Sequence, residues 1–436
     1  MHIRNTLRTA FGIAAVALSL TASSVAHAQF GEAAGIAEAM QADYLRRDIV
    51  LFQQGLTLDD SQRAIVDALY GDYEQAFEDG LARMRKRIED MREELQSQDV
   101  DRVLRIVFKP IEDWSVEKRG LGQQFMENVK VILTPEQQEQ WPKFERFIFR
   151  EKNLSKGTLS GESLNLFYVV RDMGLNEPEM LVVQPVLDQY DVALDEALHN
   201  RQKALVSNQS DMLKSFSEQN SAVSLAILQR QIDMKIAVRD INDQFVDRLA
   251  EAMPEARREE FRQKALERAY PRIFRPTPVQ LIIKTARELE GLSPSVLESV
   301  VSLEAGYLDA LKQMNQQLVA LERQWQPREE RLRAEAFAQR MAGQQPSEIQ
   351  DETRDPFMRR DELSRDYTRQ LKAILTDAQF SQLPGGYRWA DLPSEQKPAE
   401  AASANEKDTR PASKRGREPS NPDVPPGTKP VDDGGG

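Results

Sequence analysis

The chain is predicted to be all-α, built as three tandem units of long amphipathic helices folded back as hairpins or small bundles, and elongated overall. Three observations predict this. From about residue 35 to residue 384 apolar residues recur at spacings of three and four, as in Ile65, Leu69, Tyr73, Phe77, Leu81, Met84 and Ile88, with charged residues between them. No run of alternating apolar and polar residues competes with that pattern. The chain also repeats itself with a period of 117 residues.

The repeat shows at ungapped positions. Leu58, Leu175 and Leu292 share a phase, as do Tyr73, Tyr190 and Tyr307. Ile49, Leu166 and Ile283 precede them, and Val66, Val183 and Val300 lie within the expected long helix. Ala76, Ala193 and Ala310 follow, beside Phe77, Leu194 and Leu311. A second block closes each repeat: Phe125, Phe245 and Tyr367 stand eight residues before Leu133, Met253 and Leu375, and Val129, Leu249 and Leu371 stand four before. Spacing by fours puts each block on one helical face, so the second block is expected to fold back on the first.

Taken in order, residues 1–28 read as a secretory signal peptide. Arg4 and Arg8 form its basic start, Phe11 to Val25 its apolar stretch, and Ala26-His27-Ala28 its cleavage site, so cleavage is expected after Ala28 and the mature chain to be periplasmic or otherwise exported. Helical repeat units are expected at 29–160, 161–277 and 278–390, with a disordered tail over 391–436, where Pro, Gly, Ser, Lys and Glu dominate. Ser155 to Gly161 and Pro276-Thr277-Pro278 are read as the linkers between units. Gly343 to Pro356 is read as a polar insertion, a mobile loop in the third unit.

Helix starts are written in capping chemistry. In Leu133-Thr134-Pro135-Glu136-Gln137, Thr134 suits the N-cap, Pro135 the first turn, and Gln137 the position from which a side chain reaches back to the cap. Leu375-Thr376-Asp377-Ala378-Gln379 copies the spacing, and Leu58 to Gln62 and Leu175 to Glu179 are looser copies. Met253-Pro254-Glu255-Ala256-Arg257 lacks the capping residue, so a differently started helix is expected there.

Charge and composition exclude several function classes. With 58 basic against 70 acidic residues the chain carries a net charge of −12, which disfavours nucleic acid and anionic lipid as partners. No run after the signal is long and apolar enough to span a bilayer, so no stable membrane insertion is expected. The absence of cysteine removes disulfides, thiolate nucleophiles and thiolate metal sites. His199 is the one histidine after the signal, too few for a histidine metal site. The acidic pairs Asp59-Asp60, Glu93-Glu94 and Glu259-Glu260 sit among Arg and Lys and read as helix starts and solvated faces. No catalytic residue, metal ligand or cofactor is expected, and the chain is read as a non-enzyme.

Two apolar segments admit two readings. Phe144, Phe147 and Phe149 stand among charges, and Ile273 with Phe274 repeats the Ile-Phe-Arg of residues 148–150. Either they pack against a neighbouring repeat, or they form an exposed patch that holds a client protein.

The signal, the helical chain without cysteine, and the Leu-Thr-x-x-Gln motifs at Leu133, Thr134, Gln137 and at Leu375, Thr376, Gln379 resemble the LTXXQ-motif periplasmic proteins of the Spy/CpxP family. The resemblance implies three family-like units over about residues 44 to 390 and an ATP-independent chaperone or envelope-stress adaptor. Its partners would be unfolded or envelope proteins, held on apolar helical surfaces, with Phe144, Phe147, Phe149, Ile273 and Phe274 as the candidate surface. The alternative expectation is a structural or interaction scaffold of the envelope without chaperone activity. Oligomeric state is left open.

Overall fold

The structure is a computed structural model that describes residues 39–91, 100–217 and 220–391. The expected signal peptide, Glu93-Glu94 and all but the first residue of the expected tail lie outside the described residues.

The described residues contain helices and no strand. A short α1 (Ile49–Leu56) is followed by a hairpin of two long helices, α2 (Asp60–Asp90) and α3 (Val100–Val131), and then by α4 (Pro135–Glu139) and α5 (Trp141–Asn153). The order recurs as α6 (Leu166–Asp172), α7 (Glu177–Ser217), α8 (Ser221–Ala252), α9 (Glu255–Ala269) and α10 (Pro271–Phe274). It recurs again as α11 (Pro278–Arg287), α12 (Pro294–Met341), α13 (Arg354–Ile374), α14 (Asp377–Phe380) and α15 (Gly386–Asp391). At about 1.5 Å per residue, the 48 residues of α12 span about 70 Å.

Capping sets these helix starts. Asp59, Thr134, Thr277 and Thr376 each accept a hydrogen bond from the backbone N–H three residues on, and the side-chain Oε1 of the glutamine there accepts one from the cap residue's own N–H. Asn176 and Glu179 make the same exchange at 2.9 Å in both directions. Thr277 adds to the sequence reading. Pro276-Thr277 is the short connection between the second and third repeats, and it doubles as a helix start, because Thr277 and Gln280 complete a capping box that opens α11 at Pro278. At Pro254 no side chain caps α9. There Arg257, which occupies the position of Gln137, donates to the Met173 carbonyl, just as Gln137 donates to the Leu56 carbonyl.

Equivalent positions of the 117-residue period are equivalently buried. Val66, Val183 and Val300 are fully enclosed, and Tyr73, Tyr190 and Tyr307 are buried beside them. Each tyrosine hydroxyl ties its long helix to the segment leading into the unit's short first helix. Tyr73 accepts from the Tyr44 N–H at 3.2 Å, Tyr190 reaches the Leu164 carbonyl at 3.2 Å, and Tyr307 meets Thr277 Oγ1 at 2.7 Å. The second hairpin helix adds Asn242 to Tyr190 and Ser364 to Tyr307. Ile65 departs from expectation: it is exposed, and the apolar register of α2 begins instead at Val66.

The buried side chains gather in clusters around the hairpins, and Leu318 of α12 belongs to the cluster of α6 to α10. The long helix of the third repeat therefore also covers the second. Burying a Leu or Phe contributes about 1.5–3 kcal/mol, so these faces carry the fold.

Ser155 to Gly161, read as a linker, is held at nearly every residue. Glu162, almost wholly enclosed, accepts from the N–H groups of Thr158 and Leu159 and from Arg201. The Ser160 N–H donates to Gln326 Oε1 at 2.7 Å, and the Gly161 N–H to the Ala269 carbonyl at 3.0 Å. Gly161 has φ of +84°, and a Cβ there would lie 3.2 Å from Arg239 Cγ, which explains glycine at this point. Upstream, Arg146 and Arg150 of α5 clamp Asp191 of α7. The insertion after α12 runs as coil over 344–350 and ends where buried Thr353 bonds Asp351 and α13 begins at Arg354.

Candidate functional site

The structure divides the candidate surface residues. Phe144 is buried, its ring over Gly55, where a Cβ would come within 2.7 Å, and 5.0 Å from the ring of Phe52. Ile273 is wholly buried in the second cluster. Helical spacing explains this, since Phe144 and Ile148 face the core one turn apart. Phe147 and Phe149 are half-buried: Arg150 lies 5.6 Å from the Phe147 ring, and Phe149 stacks on His199 at 3.8 Å. These residues form no common exposed patch, and the packing reading replaces the patch. Leu133 and Leu375 are buried beneath their caps, and Thr134, Gln137, Thr376 and Gln379 serve helix starts.

Phe274 alone of the five lines a groove, of about 420 Å3, between α9 and α12. One wall is acidic. Glu259, Glu260 and Glu267 recur along one face of α9, with Gln263 between them. The floor is apolar, from Leu308 and Leu311 of α12 together with Phe274. Arg275, Lys312 and Arg360 also line the groove, so it carries both signs of charge rather than being uniformly acidic. Glu260 is engaged by Arg257 at 2.8 Å and Lys264 at 3.3 Å, and Lys312 approaches Glu259 at 3.7 Å.

Two polar side chains of the lining are buried and incompletely partnered. Asn315 is 6% exposed and its Oδ1 has no hydrogen-bond partner. Arg360 is 7% exposed and its Nε is likewise unpartnered. Its side chain makes one long hydrogen bond, from Nη2 to the Arg275 carbonyl at 3.5 Å. Burial pulls this guanidinium below its ordinary range.

An apolar stripe leads into the groove along α12. Leu297, Val301 and Leu308 are 39%, 43% and 44% exposed, at spacings of four and seven, with exposed Ala305 between the last two. Each faces water while Val300, Leu303, Tyr307 and Leu311 face the core, so this part of α12 is apolar on two sides.

The sequence reading missed Asn315 and Arg360, and a signal existed. Tyr307, Leu311, Asn315, Leu318 and Glu322 follow one another at core spacing, so Asn315 and Glu322 are polar residues on an apolar face. Arg360, Ser364 and Thr368 form a similar polar line on α13 and are buried. Glu322 is enclosed near Ser160, which donates to it at 3.2 Å, and burial raises its carboxyl above the usual range.

Among the described residues no three histidine or carboxylate side chains are grouped to hold a metal ion, and no helix is long and apolar enough to cross a membrane. Comparison with family models, with curated proteins and with solved structures finds no match to this chain.

Proposed function

We propose that the chain is an exported, ATP-independent chaperone-like or envelope-stress protein that binds other proteins on apolar helical surfaces and catalyses no reaction. The observation that carries this is the stripe of Leu297, Val301 and Leu308, which continues into the floor of the groove at Leu308, Leu311 and Phe274. Contact with such a stripe releases water from apolar surface, and the charges beside it set encounter rate and orientation. The motifs at Leu133 and Leu375 and their resemblance to the Spy/CpxP family support the same reading, as does the signal-like pattern of residues 1–28, which fits a chain that is periplasmic or otherwise exported. The test is aggregation of a denatured client with the purified chain in stoichiometric excess. Suppressed light scattering is expected, and unchanged scattering sinks the chaperone reading.

A second reading, an envelope scaffold, is favoured by the bonds that fix the 155–161 segment to α8, α9 and α12. Capture of one stoichiometric partner from envelope extract, rather than many partly unfolded clients, would select it.

A further inference from the structure

The 117-residue period places the outward stripe of α12 on a surface that carries a helix one repeat earlier. Ala305 and Leu308 stand where α7 has Asp188 and Asp191. On α7 those positions seat α5 of the first repeat. Lys143 approaches Asp188 at 3.6 Å, Arg146 and Arg150 clamp Asp191, and Phe149 stacks on His199 two turns further on. The counterpart of α5 in the second repeat is α9, since Trp141 and Phe261 are buried eight residues after Leu133 and Met253. Yet α9 leaves Leu308 44% exposed, and the groove lies open beside the approach of Lys312 to Glu259 at 3.7 Å. The chemistry differs too: apolar side chains replace the two aspartates, and the apolar line runs back to Val301 and Leu297.

From this equivalence we infer that the stripe of α12 docks an amphipathic helix of a partner protein, its apolar face on Leu297, Val301 and Leu308 and its edge lined with Lys or Arg. This rests on the protein-binding reading and names the form of partner that the surface takes. Backbone chemistry favours a helix over an extended segment. An extended chain would lay its N–H and C=O groups on apolar side chains that cannot pair them, whereas a helix pairs its own. Length agrees. Leu297 to Leu308 covers three turns, about 17 Å at about 1.5 Å per residue, which suits anchors spaced by fours and threes on the partner. Where the stripe meets the groove, Leu308, Leu311 and Phe274 receive one large apolar side chain of that helix.

Charge selects the basic edge. The ionisable residues beside the stripe on α12 are Glu298, Glu304, Asp309 and Lys312. Arg287 holds Glu304 at 2.6 Å and Glu259 faces Lys312, whereas Glu298 and Asp309 are exposed and form no ion pair among the described residues. Helical spacing sets both on the edge turned away from Val300 and Tyr307. Inside the groove both signs of charge occur, so the preference is set along the stripe. Within this chain α5 is a helix of the same type, with Lys143, Arg146 and Arg150 beside its apolar face.

The test is fluorescence anisotropy of the purified chain with fluorescein-labelled peptides of about 18 residues, five helical turns, in about 0.15 M salt, where charges more than about 8 Å apart are screened. One peptide sets Leu on a single helical face with Lys at its edges. A second has the same composition shuffled so that no such face forms, and a third keeps the face but carries Glu for Lys. The first is expected to bind at least about tenfold more tightly than either other peptide, and Leu308→Ser to weaken it at least about tenfold. Glu298→Lys/Asp309→Lys, at two exposed positions, moves the preference toward the Glu peptide. Equal binding of the first and shuffled peptides overturns the helical occupant, and unchanged binding in Leu308→Ser overturns the site. A dimer of the chain in sedimentation that Leu308→Ser abolishes makes a second copy the occupant and overturns the inference as well. The aggregation assay decides the chaperone reading separately: helix binding without suppressed aggregation upholds the docking site and sinks that reading alone.

Discussion

Arg239 donates through Nη1 to the backbone carbonyl of Arg323 at 2.9 Å, and that carbonyl is open because Pro327, four residues on, brings no N–H to it. A gap in α12 of the third repeat is thus filled from α8 of the second. Arg239→Leu is expected to cost about 1–3 kcal/mol, the penalty for leaving a buried carbonyl unpaired. In a Pro327→Ala background the restored helical bond takes up that carbonyl, and the cost should fall by about half or more. Urea denaturation of the four chains measures this cycle. An equal cost in both backgrounds would contradict the assignment.

Gln62 and Gln137 join two capping boxes. Gln62 Nε2 donates to Gln137 Oε1 at 2.8 Å, and Gln137 Nε2 donates to Gln62 Oε1 at 3.1 Å and to the Leu56 carbonyl at 3.1 Å. Thr134→Ala removes a cap alone and should cost about 1 kcal/mol. Gln137→Ala also strips partners from Gln62 and Leu56, so about 2 kcal/mol or more is expected. The urea midpoints of the two variants should therefore rank in that order.

At the joint of α5 and α7, Asp191 holds Arg146 at 2.6 Å and also Arg150, with Asp191 and Arg150 both buried. Asp191→Ala takes the closer of two carboxylates from buried Arg150, leaving it only Glu151 at 3.9 Å, and should cost about 3 kcal/mol. Replacing Arg150 with Met in the same chain should recover part of the loss, because the stranded charge is gone. Thermal melting distinguishes this from a simple packing defect, which the second substitution would worsen.

Much of this architecture was legible in the sequence. The 117-residue period located the buried tyrosines and valines because each repeat buries the same face of a similar hairpin. The capping residues were legible because their chemistry is local. Contacts between repeats were not. Ser155 to Gly161 resembles a linker in composition, and only the approach of Gln326, Asn242 and Ala269 shows that it is bonded on several sides. Phe144 and Ile273 misled for a related reason, since an apolar segment rich in charge has the same composition on a partner-binding surface as in a seam between helices. Asn315 and Arg360 belong to different helices, 45 positions apart in the chain, and neither alone indicates a groove.

Glu322 gives the fold a pH dependence of definite sign. Burial raises its folded carboxyl above the unfolded value, so the folded state binds the proton more tightly. Its contribution to stability is fully present below the unfolded carboxylate range and is lost as pH rises through the folded value. Glu322→Gln keeps an acceptor for Ser160 and removes the buried charge. The variant should match or exceed the native chain in melting temperature at pH 7, with its advantage shrinking toward pH 4. A variant less stable at pH 7 and relatively more stable in acid would reverse the sign.

The central claim is that clients are held along the outward stripe of α12. The most direct measurement compares light scattering of a denatured client in the presence of the native chain and of Val301→Glu/Leu308→Glu. Both positions are more than two-fifths exposed, so helicity and melting temperature should be unchanged, surface substitutions usually shifting stability by no more than about 0.5 kcal/mol. The account predicts that the native chain suppresses aggregation and that the double variant loses most of that activity. Full suppression by a correctly folded double variant would contradict it.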